Sequence, residues 1–406
     1  MNKNSDGIKL FKTKKECCGC AACANICPQN AIEMCEDEYG YKYPKINHDK
    51  CIKCNKCKLI CAYQNDSNLF DSGEVYAAVT VDEEILMFSA SGGIFTQLAE
   101  NFIKQNGIVY GCSLEKENEK LIPKHIRVSE LQELKKLQGS KYVQSDVDNI
   151  YTIVKKDLEN NKKVLFSGTP CQIAALKNFI GKKNNDNLFT IDIICHGVPN
   201  KKMFQDYIEY FENKNKVKVT NFSFRDKTKG WGLQAKVEYI SKNNKKECKL
   251  INSHFSSYYQ LFLDSKIYRE NCYSCKYAGK ERIGDITIGD FWGIETEHRE
   301  YLKCYNGEFD ENKGISCILI NNEKGKKLIA DYNNNLKLKE SKFEKVARHN
   351  KQLNYPSKEA KERKEILDIY LKEGYKGVES WYNKKIGVKK YLYCIWNNIP
   401  KSWKKN

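Results

Sequence analysis

Two cysteine runs with identical internal spacing constrain this chain more than any other feature. Cys17-x2-Cys20-x2-Cys23-x3-Cys27 and Cys51-x2-Cys54-x2-Cys57-x3-Cys61 recur at a constant offset of 34 residues, which marks an internal duplication. Each x2 step lets a short loop wrap three thiols round one centre, and the x3 step begins a helix that points the fourth thiol elsewhere. Nineteen of the 406 residues are cysteine and ten of them fall between Cys17 and Cys61, far more than packing alone requires. The opening MNKNSDGIKLFKTKK is basic and lacks an apolar stretch, and no window approaches the roughly 18 uncharged apolar residues of a membrane span. The expectation is a cytoplasmic protein, whose thiols stay reduced and serve as metal ligands or reactive groups. With 41% hydrophobic and 12% aromatic residues the chain can bury a core, and its length predicts two or three domains.

The duplicated spacing is that of bacterial two-cluster ferredoxins, in which three cysteines of a run hold one [4Fe–4S] cluster and the fourth reaches the other. It predicts an α+β ferredoxin-like dicluster module over 8–66, with Cys17, Cys20, Cys23 and Cys61 on one cluster and Cys51, Cys54, Cys57 and Cys27 on its partner. Zinc also favours C-x2-C pairs, but a zinc site closes at four ligands and has no need of two octets in this register. Radical-SAM chemistry is excluded because no C-x3-C-x2-C run exists. Pro28 follows the first run as the pattern expects, whereas Ala62 stands in its place after the second; Cys18 and Cys35 lie off the register and read as packing residues. Residues 66–73 (DSNLFDSG) read as a linker.

From Val75 the texture becomes α/β. Apolar runs at 75–81, 107–113, 163–168, 188–195 and 285–291 read as buried strands, and i, i+3, i+4 spacing predicts helices over 94–105, 147–160, 172–180 and 201–214. Such alternation predicts a mainly parallel sheet whose crevice lies at the carboxyl ends of its strands. Cys171 and Cys195 both fall at such ends, and with Cys272-x2-Cys275 they make four thiols, enough for a third [4Fe–4S] cluster. A thiol redox site or plain packing are the alternatives the residues leave open. Ser89-Ala-Ser91-Gly92-Gly93 leads into a helix and offers either an anion or flavin-phosphate cradle or an ordinary cap. Residues 138–145 (QGSKYVQS) add a basic, amide-rich loop. Neither G-x-G-x-x-G in a strand–helix context nor a Walker A motif occurs.

The segments SASGGIFTQL, LQGSKYVQS, SGTPCQIAAL, DIICHGVP and CYSCKYAGKERIGDITIGDFWG, together with the ferredoxin octet, resemble the coenzyme F420 hydrogenase/dehydrogenase beta-subunit family over roughly residues 10–295. The resemblance implies an α/β flavin-binding domain over 75–150 and 151–340, with Cys171, Cys195, Cys272 and Cys275 as inner-cluster ligands. It further implies that Ser91, Gly92, Gly93, Gly139, Lys141, Thr169 and Asp285 line an FAD pocket. The activity implied is an FAD- and iron–sulfur-dependent oxidoreductase passing electrons to or from a two-electron organic substrate; some relatives accompany surface-polysaccharide functions. A flavin is the natural converter between one-electron clusters and hydride chemistry. Lys141 and His196 are the candidate catalytic proton donors. The alternative is a non-catalytic ferredoxin-type electron-transfer adaptor for a partner enzyme.

The last 66 residues, 341–406, carry net +10 of the chain's +17 and three of its five tryptophans. They read as a basic, aromatic-rich extension. Packing on the body is one expectation for Trp381, Tyr382, Tyr391, Tyr393, Trp396 and Trp403; contact with an anionic membrane surface, hence peripheral attachment at its inner face, and contact with an acidic partner protein are the others. The expected partner is a redox protein or a small-molecule electron donor or acceptor. No nucleic-acid partner is expected, since no fold motif for one accompanies the charge.

Overall fold

The computed structural model describes residues 8–65, 67–181 and 186–398. Between the cysteine runs the chain forms an antiparallel hairpin, β1 (Ile32–Glu36) and β2 (Lys42–Ile46), in register Ile32↔Ile46 and Glu36↔Lys42. Each run carries a one-turn helix, Ala22–Asn25 and Lys56–Leu59, entered through a left-handed residue, Ala21 (φ 61°) and Asn55 (φ 59°). The duplication in sequence is thus a duplication of backbone. The following linker is strapped to the body: Phe70 bridges to Arg282, and the Gly73 N–H donates to the Ile320 carbonyl at 2.9 Å.

The later strands are β3 (Val75–Thr80), β4 (Ile108–Glu117), β5 (Lys120–Val128), β6 (Val164–Gly168), β7 (Leu188–Ile193), β8 (Lys218–Ser223), β9 (Gln234–Ile240), β10 (Lys246–Asn252), β11 (Ile286–Asp290), β12 (Ser316–Ile320) and β13 (Leu336–Ser341). Eight of them form one sheet in the order β13-β3-β12-β11-β7-β6-β4-β5, and β10-β9-β8 form a separate antiparallel sheet. In the large sheet the three pairings among β11, β7, β6 and β4 are parallel; the other four are antiparallel. The sheet is therefore mixed, parallel through its centre as expected and antiparallel on both flanks. On one flank the cause is a hairpin: β4 returns directly as β5 through Asn118 and Glu119, both at positive φ, as a two-residue turn of type I′ requires. On the other, β12 folds back beside β11 and pairs with β3.

Both faces of the central strands are covered, so these strands read as unbroken apolar runs. Val164 and Phe166 of β6 pack with helices Ile150–Glu159 and Pro170–Ile180, while Leu165 packs on the opposite face with helix Ile94–Lys104. Gly93 enters that last helix at φ 80°, and a Cβ on Gly92 would stand 2.3 Å from the Ala78 carbonyl oxygen. Glycine is demanded at both positions by backbone geometry.

The carboxyl region departs from the expected extension. β13 is an edge strand of the main sheet, Val346 and Leu353 join a core with Phe291 and Ile294, and Ile366, Tyr370, Val378 and Tyr382 pack beside helix Lys201–Asn215 and β8–β9. No break separates residues 341–382 from the body. The helix Arg363–Asn398 is interrupted by non-helical backbone at Gly374 and Gly387. Tyr382 donates to the His254 carbonyl at 2.8 Å and Trp381 Nε1 to Glu365 at 2.7 Å. The side chains of Tyr391, Tyr393, Trp396 and Trp403, on which the membrane expectation rests, lie outside the described residues. Among the described residues no helix is long and apolar enough to cross a membrane.

Candidate functional site

The two cysteine runs exchange their last members. Cys17, Cys20, Cys23 and Cys61 line one small void; Cys27, Cys51, Cys54 and Cys57 line another. All these thiols are free. Burial pushes the Cys17 thiol up to about 11, against the pull of the Arg269 guanidinium. Burial also raises Cys23 well above the usual thiol range, with Cys20, Cys17 and Cys61 adding to it, and raises Cys57, with Cys54 and Cys27 adding. Thiols crowded so that each opposes its neighbours' ionisation suit a shared cationic core, which reverses that penalty. Among the described residues no three His, Cys, Asp or Glu side chains close on one point as a single metal ion demands. A cubane, with irons at separate corners, takes its thiolates further apart.

A third set converges inside the body. Cys171 sits in the first turn of helix Pro170–Ile180, which Thr169 caps through a reciprocal pair with Gln172. Cys195 follows the carboxyl end of β7, and Cys272 and Cys275 lie in and just after the short helix Glu270–Ser274. Burial raises Cys195 well above the ordinary thiol range, and the nearby Cys272, Cys171 and Cys275 raise it further. Cys272 is pushed up to about 12 by burial, then by Cys275 and Cys171. Cys171 moves the other way, to about 7, because the Cys18 thiol hydrogen-bonds to it. Cys18, expected to be mere packing, thus lies buried between Cys20 of the first set and Cys171 of the inner one.

Arg269 shares that seam. Its side chain is fully buried beside Cys17, Cys18 and Cys272, its Nη2 donates to the Lys42 carbonyl, and its Nη1 has no partner among the described residues. The guanidinium lies 4.3 Å from the ring centre of Tyr43. Gly19 makes the approach possible: it adopts φ 65°, and a Cβ there would stand 2.3 Å from Arg269 Nη2. A buried unpaired cation is costly, and thiolate-bound clusters on either side would supply the missing anions.

The carboxyl ends of β6, β7 and β11 open onto a cavity of about 360 Å³, within the usual size of a small-molecule site. Cys195 and His196 form part of its wall, so the inner thiol set borders the cavity directly. Ser91, Gly93, Gly139, Lys141 and Thr169 line it. Ser89 Oγ is buried there without a partner, and the space beside Gly139 (φ 77°) is open. Burial lowers the His196 imidazole, which Asp290 opposes. Burial brings Lys141 down to about 8, yet its ammonium is already occupied, donating to the carbonyls of Gln138 at 2.8 Å and of Lys136 and Gly139 at 3.2 Å.

Two of the expected flavin residues lie elsewhere. Gly92 stands behind the wall, its N–H donating to Ser316 Oγ at 2.9 Å. Asp285 precedes β11, at the end of that strand remote from the cavity. There it accepts from Thr190 N (2.7 Å), Thr190 Oγ1 (2.8 Å) and Asn322 (3.0 Å) and pairs with Lys177. It is a buried tie between strands, because only the carboxyl end of β11 faces the crevice.

At that carboxyl end the structure places Asp290, which the sequence reading missed. Arg225 grips it with both arms, at 2.9 and 3.2 Å, with only 1% of the arginine side chain exposed. Trp231 Nε1 donates to the same carboxylate at 3.0 Å, and Trp231 stacks on Trp292 at 4.7 Å between ring centres. Lys227 anchors the glycine-rich loop by donating to the carbonyls of Leu86 and Ser91, both at 2.6 Å. His125 is buried under the floor: its Nε2–H donates to the Ser167 carbonyl at 3.1 Å, its Nδ1 accepts from Ser145, and burial lowers it to about 4. The strand-end rule was the signal that could have found Asp290; nothing in the sequence pointed to Arg225, Trp231 or Arg269.

Known proteins resemble the chain in two ways. The family model for the C-terminal part of the coenzyme F420 hydrogenase/dehydrogenase beta subunit matches residues 161–346. An uncharacterized polyferredoxin-like protein of Methanocaldococcus jannaschii is 36% identical over 92 residues, covering 19% of this chain; the chain spans about half, 55%, of that relative's length. A chain from the F420-reducing [NiFe] hydrogenase complex of Methanosarcina barkeri aligns with 81% of this chain and 96% of its own length, at 17% identity and a TM-score of 0.42. Over residues 161–346, just under half of its length, the chain is thus similar to the C-terminal part of the coenzyme F420 hydrogenase/dehydrogenase beta subunit.

Proposed function

We propose that the chain is an iron–sulfur flavoprotein that relays electrons between an external one-electron partner and a two-electron organic substrate. The observation carrying this reading is the continuity of the thiol sets: the first meets the inner one at Cys18, and the inner one reaches the cavity wall at Cys195. Cys17, Cys20, Cys23 and Cys61 would hold one [4Fe–4S] cluster, Cys27, Cys51, Cys54 and Cys57 a second, and Cys171, Cys195, Cys272 and Cys275 a third. Each donor set is four free thiols, the ligand count a cubane needs. Ser91, Gly93, Gly139, Lys141 and Thr169 would hold FAD, whose partnerless neighbour Ser89 Oγ offers a further polar contact. Clusters supply one-electron steps, and a flavin joins them to two-electron chemistry.

The chain's own residues prepare the cavity. Lys227 and Lys141 spend their ammonium groups fixing the two cradle loops, so both act as positioning residues. Arg225, Asp290 and Trp231 lock the carboxyl end of β11 against the loop that carries Trp231. His196 faces the cavity with its imidazole biased to the neutral form, which lets a ring nitrogen hold a proton for a bound substrate. The test is anaerobic purification followed by flavin release. One FAD per chain, bleached when the protein is reduced, is expected; iron-loaded protein without flavin would favour the adaptor reading and overturn this one.

A further inference from the structure

We infer that the lysine-ringed face around Cys54 is the docking surface for an acidic one-electron carrier protein. The inference rests on the proposed ligand role of Cys27, Cys51, Cys54 and Cys57. The duplicated runs share one backbone, so positions 34 residues apart face the same local demands and any difference in side chain reflects surroundings. Where the first run has Glu16, Gly19, Ala22 and Ala24, the second has Lys50, Lys53, Lys56 and Lys58. Residues 17–30 of the first run contain no lysine or arginine. Holding thiols therefore does not call for those four cations.

The surroundings account for the difference. The first run faces inward: Ala22 is fully buried in the core that helices Ile150–Glu159 and Pro170–Ile180 build, and Asn25 donates to the Asp148 carbonyl. The second faces outward, with Cys54, Lys50, Lys53 and Lys56 exposed and Lys58 half-buried. No ion pair to any of the four lysines occurs among the described residues, whereas Lys14 of the same module pairs with Asp37 and Glu38. Lys53 even occupies the left-handed region (φ 54°) in which the first run places Gly19, a conformation that costs a lysine more than a glycine. Two apolar side chains complete the face: Ile52 is 60% exposed and Leu59, where the first run has Asn25, is 70% exposed.

Exposed apolar side chains interleaved along the chain with unpaired cations suit a small, transient, electrostatically steered interface. Charge complementarity selects an acidic partner, and the exposure of Cys54 within that thiol set makes electron carriage the reason for contact. Electrons would then enter or leave at Cys54, the exposed thiol of its set.

The test uses full-length, cluster-loaded protein and a strongly acidic two-cluster ferredoxin as the probe. In anaerobic stopped flow at low salt, Lys53→Glu/Lys56→Glu is expected to slow reduction by that ferredoxin by about 10- to 100-fold, the range of electrostatic steering. The rate with reduced methyl viologen, a cation, should not fall, and the midpoint potentials should stay near wild type because the exposed charges are screened. Wild-type rates should fall with ionic strength, and the variant's should be nearly flat. Lys50→Glu/Lys58→Glu, which changes no residue flanking Cys54, should show the same selectivity should the first variant lose iron. Equal ferredoxin rates in wild type and variant, or equal slowing by both reductants, would overturn the inference. Salt-sensitive binding of oxidised ferredoxin by calorimetry is read separately: if the wild type lacks iron at Cys54 yet still binds, the ligand assignment fails while the docking surface stands.

Discussion

Replacing Asp290 with asparagine tests the packing logic of the cavity most sharply. The carboxylate holds both arms of Arg225 at 2.9 and 3.2 Å and receives Trp231 Nε1 at 3.0 Å. Arg225 is 1% exposed, so the substitution leaves a guanidinium charge with neither water nor a counter-ion. Breaking one side of such a pair costs about 3–5 kcal/mol, whereas replacing both sides with apolar groups is often near neutral. With a urea slope of about 3 kcal/mol/M, Asp290→Asn should lower the unfolding midpoint by about 1–1.7 M, read by the fluorescence of the stacked Trp231 and Trp292. Arg225→Met should cost a comparable amount, and Arg225→Met/Asp290→Leu should recover most of both losses, a coupling of about 2 kcal/mol or more. Single variants within about 0.5 kcal/mol of wild type, or a double variant equal to the sum of the singles, would refute the reasoning.

Further predictions follow from the seam and the cavity floor. Arg269→Gln removes a cation lying beside Cys17, Cys18 and Cys272, so the midpoint potentials of the clusters held there should fall by on the order of tens of millivolts; EPR-monitored titration measures this, and unchanged potentials would contradict it. Gly19→Ala places a Cβ 2.3 Å from Arg269 Nη2 at φ 65° and should cost about 1–3 kcal/mol, visible as lost iron and a lower unfolding midpoint. His125 has a folded pKa of about 4 against an ordinary 6.5. Between those values the unfolded chain binds more protons, so stability falls as pH drops from 6.5 to 4, by up to about 3 kcal/mol. His125→Gln should flatten that dependence in denaturation curves measured across the window.

What could be read from the sequence was what is local in it. The cysteine runs declare their grouping within eleven residues each, and the unbroken apolar strands β3, β6, β7 and β12 stand out because both their faces are covered. Strands β8–β10 did not, since their half-buried alternation with charged residues resembles exposed loop. The charge excess of residues 341–406 hid the apolar face formed by Ile366, Tyr370, Val378 and Tyr382, so a packed segment read as an appendage. The same strand, β11, shows why the pocket was only partly legible. Asp285 and Asp290 are both acidic and five residues apart, and only the direction of the strand decides which one meets the cavity. Arg225, Trp231 and Arg269 owe their places to contacts across 59 residues or more, which no spacing rule carries.

Iron and acid-labile sulfide per chain, measured on anaerobically purified protein with and without Cys171→Ala, test the central claim most directly. Three cubanes require about 12 Fe in the wild type. The variant should fall to about 8 Fe with the EPR signals of the two outer clusters intact. Zinc in place of iron, or a variant that keeps the full wild-type iron content, would contradict the account.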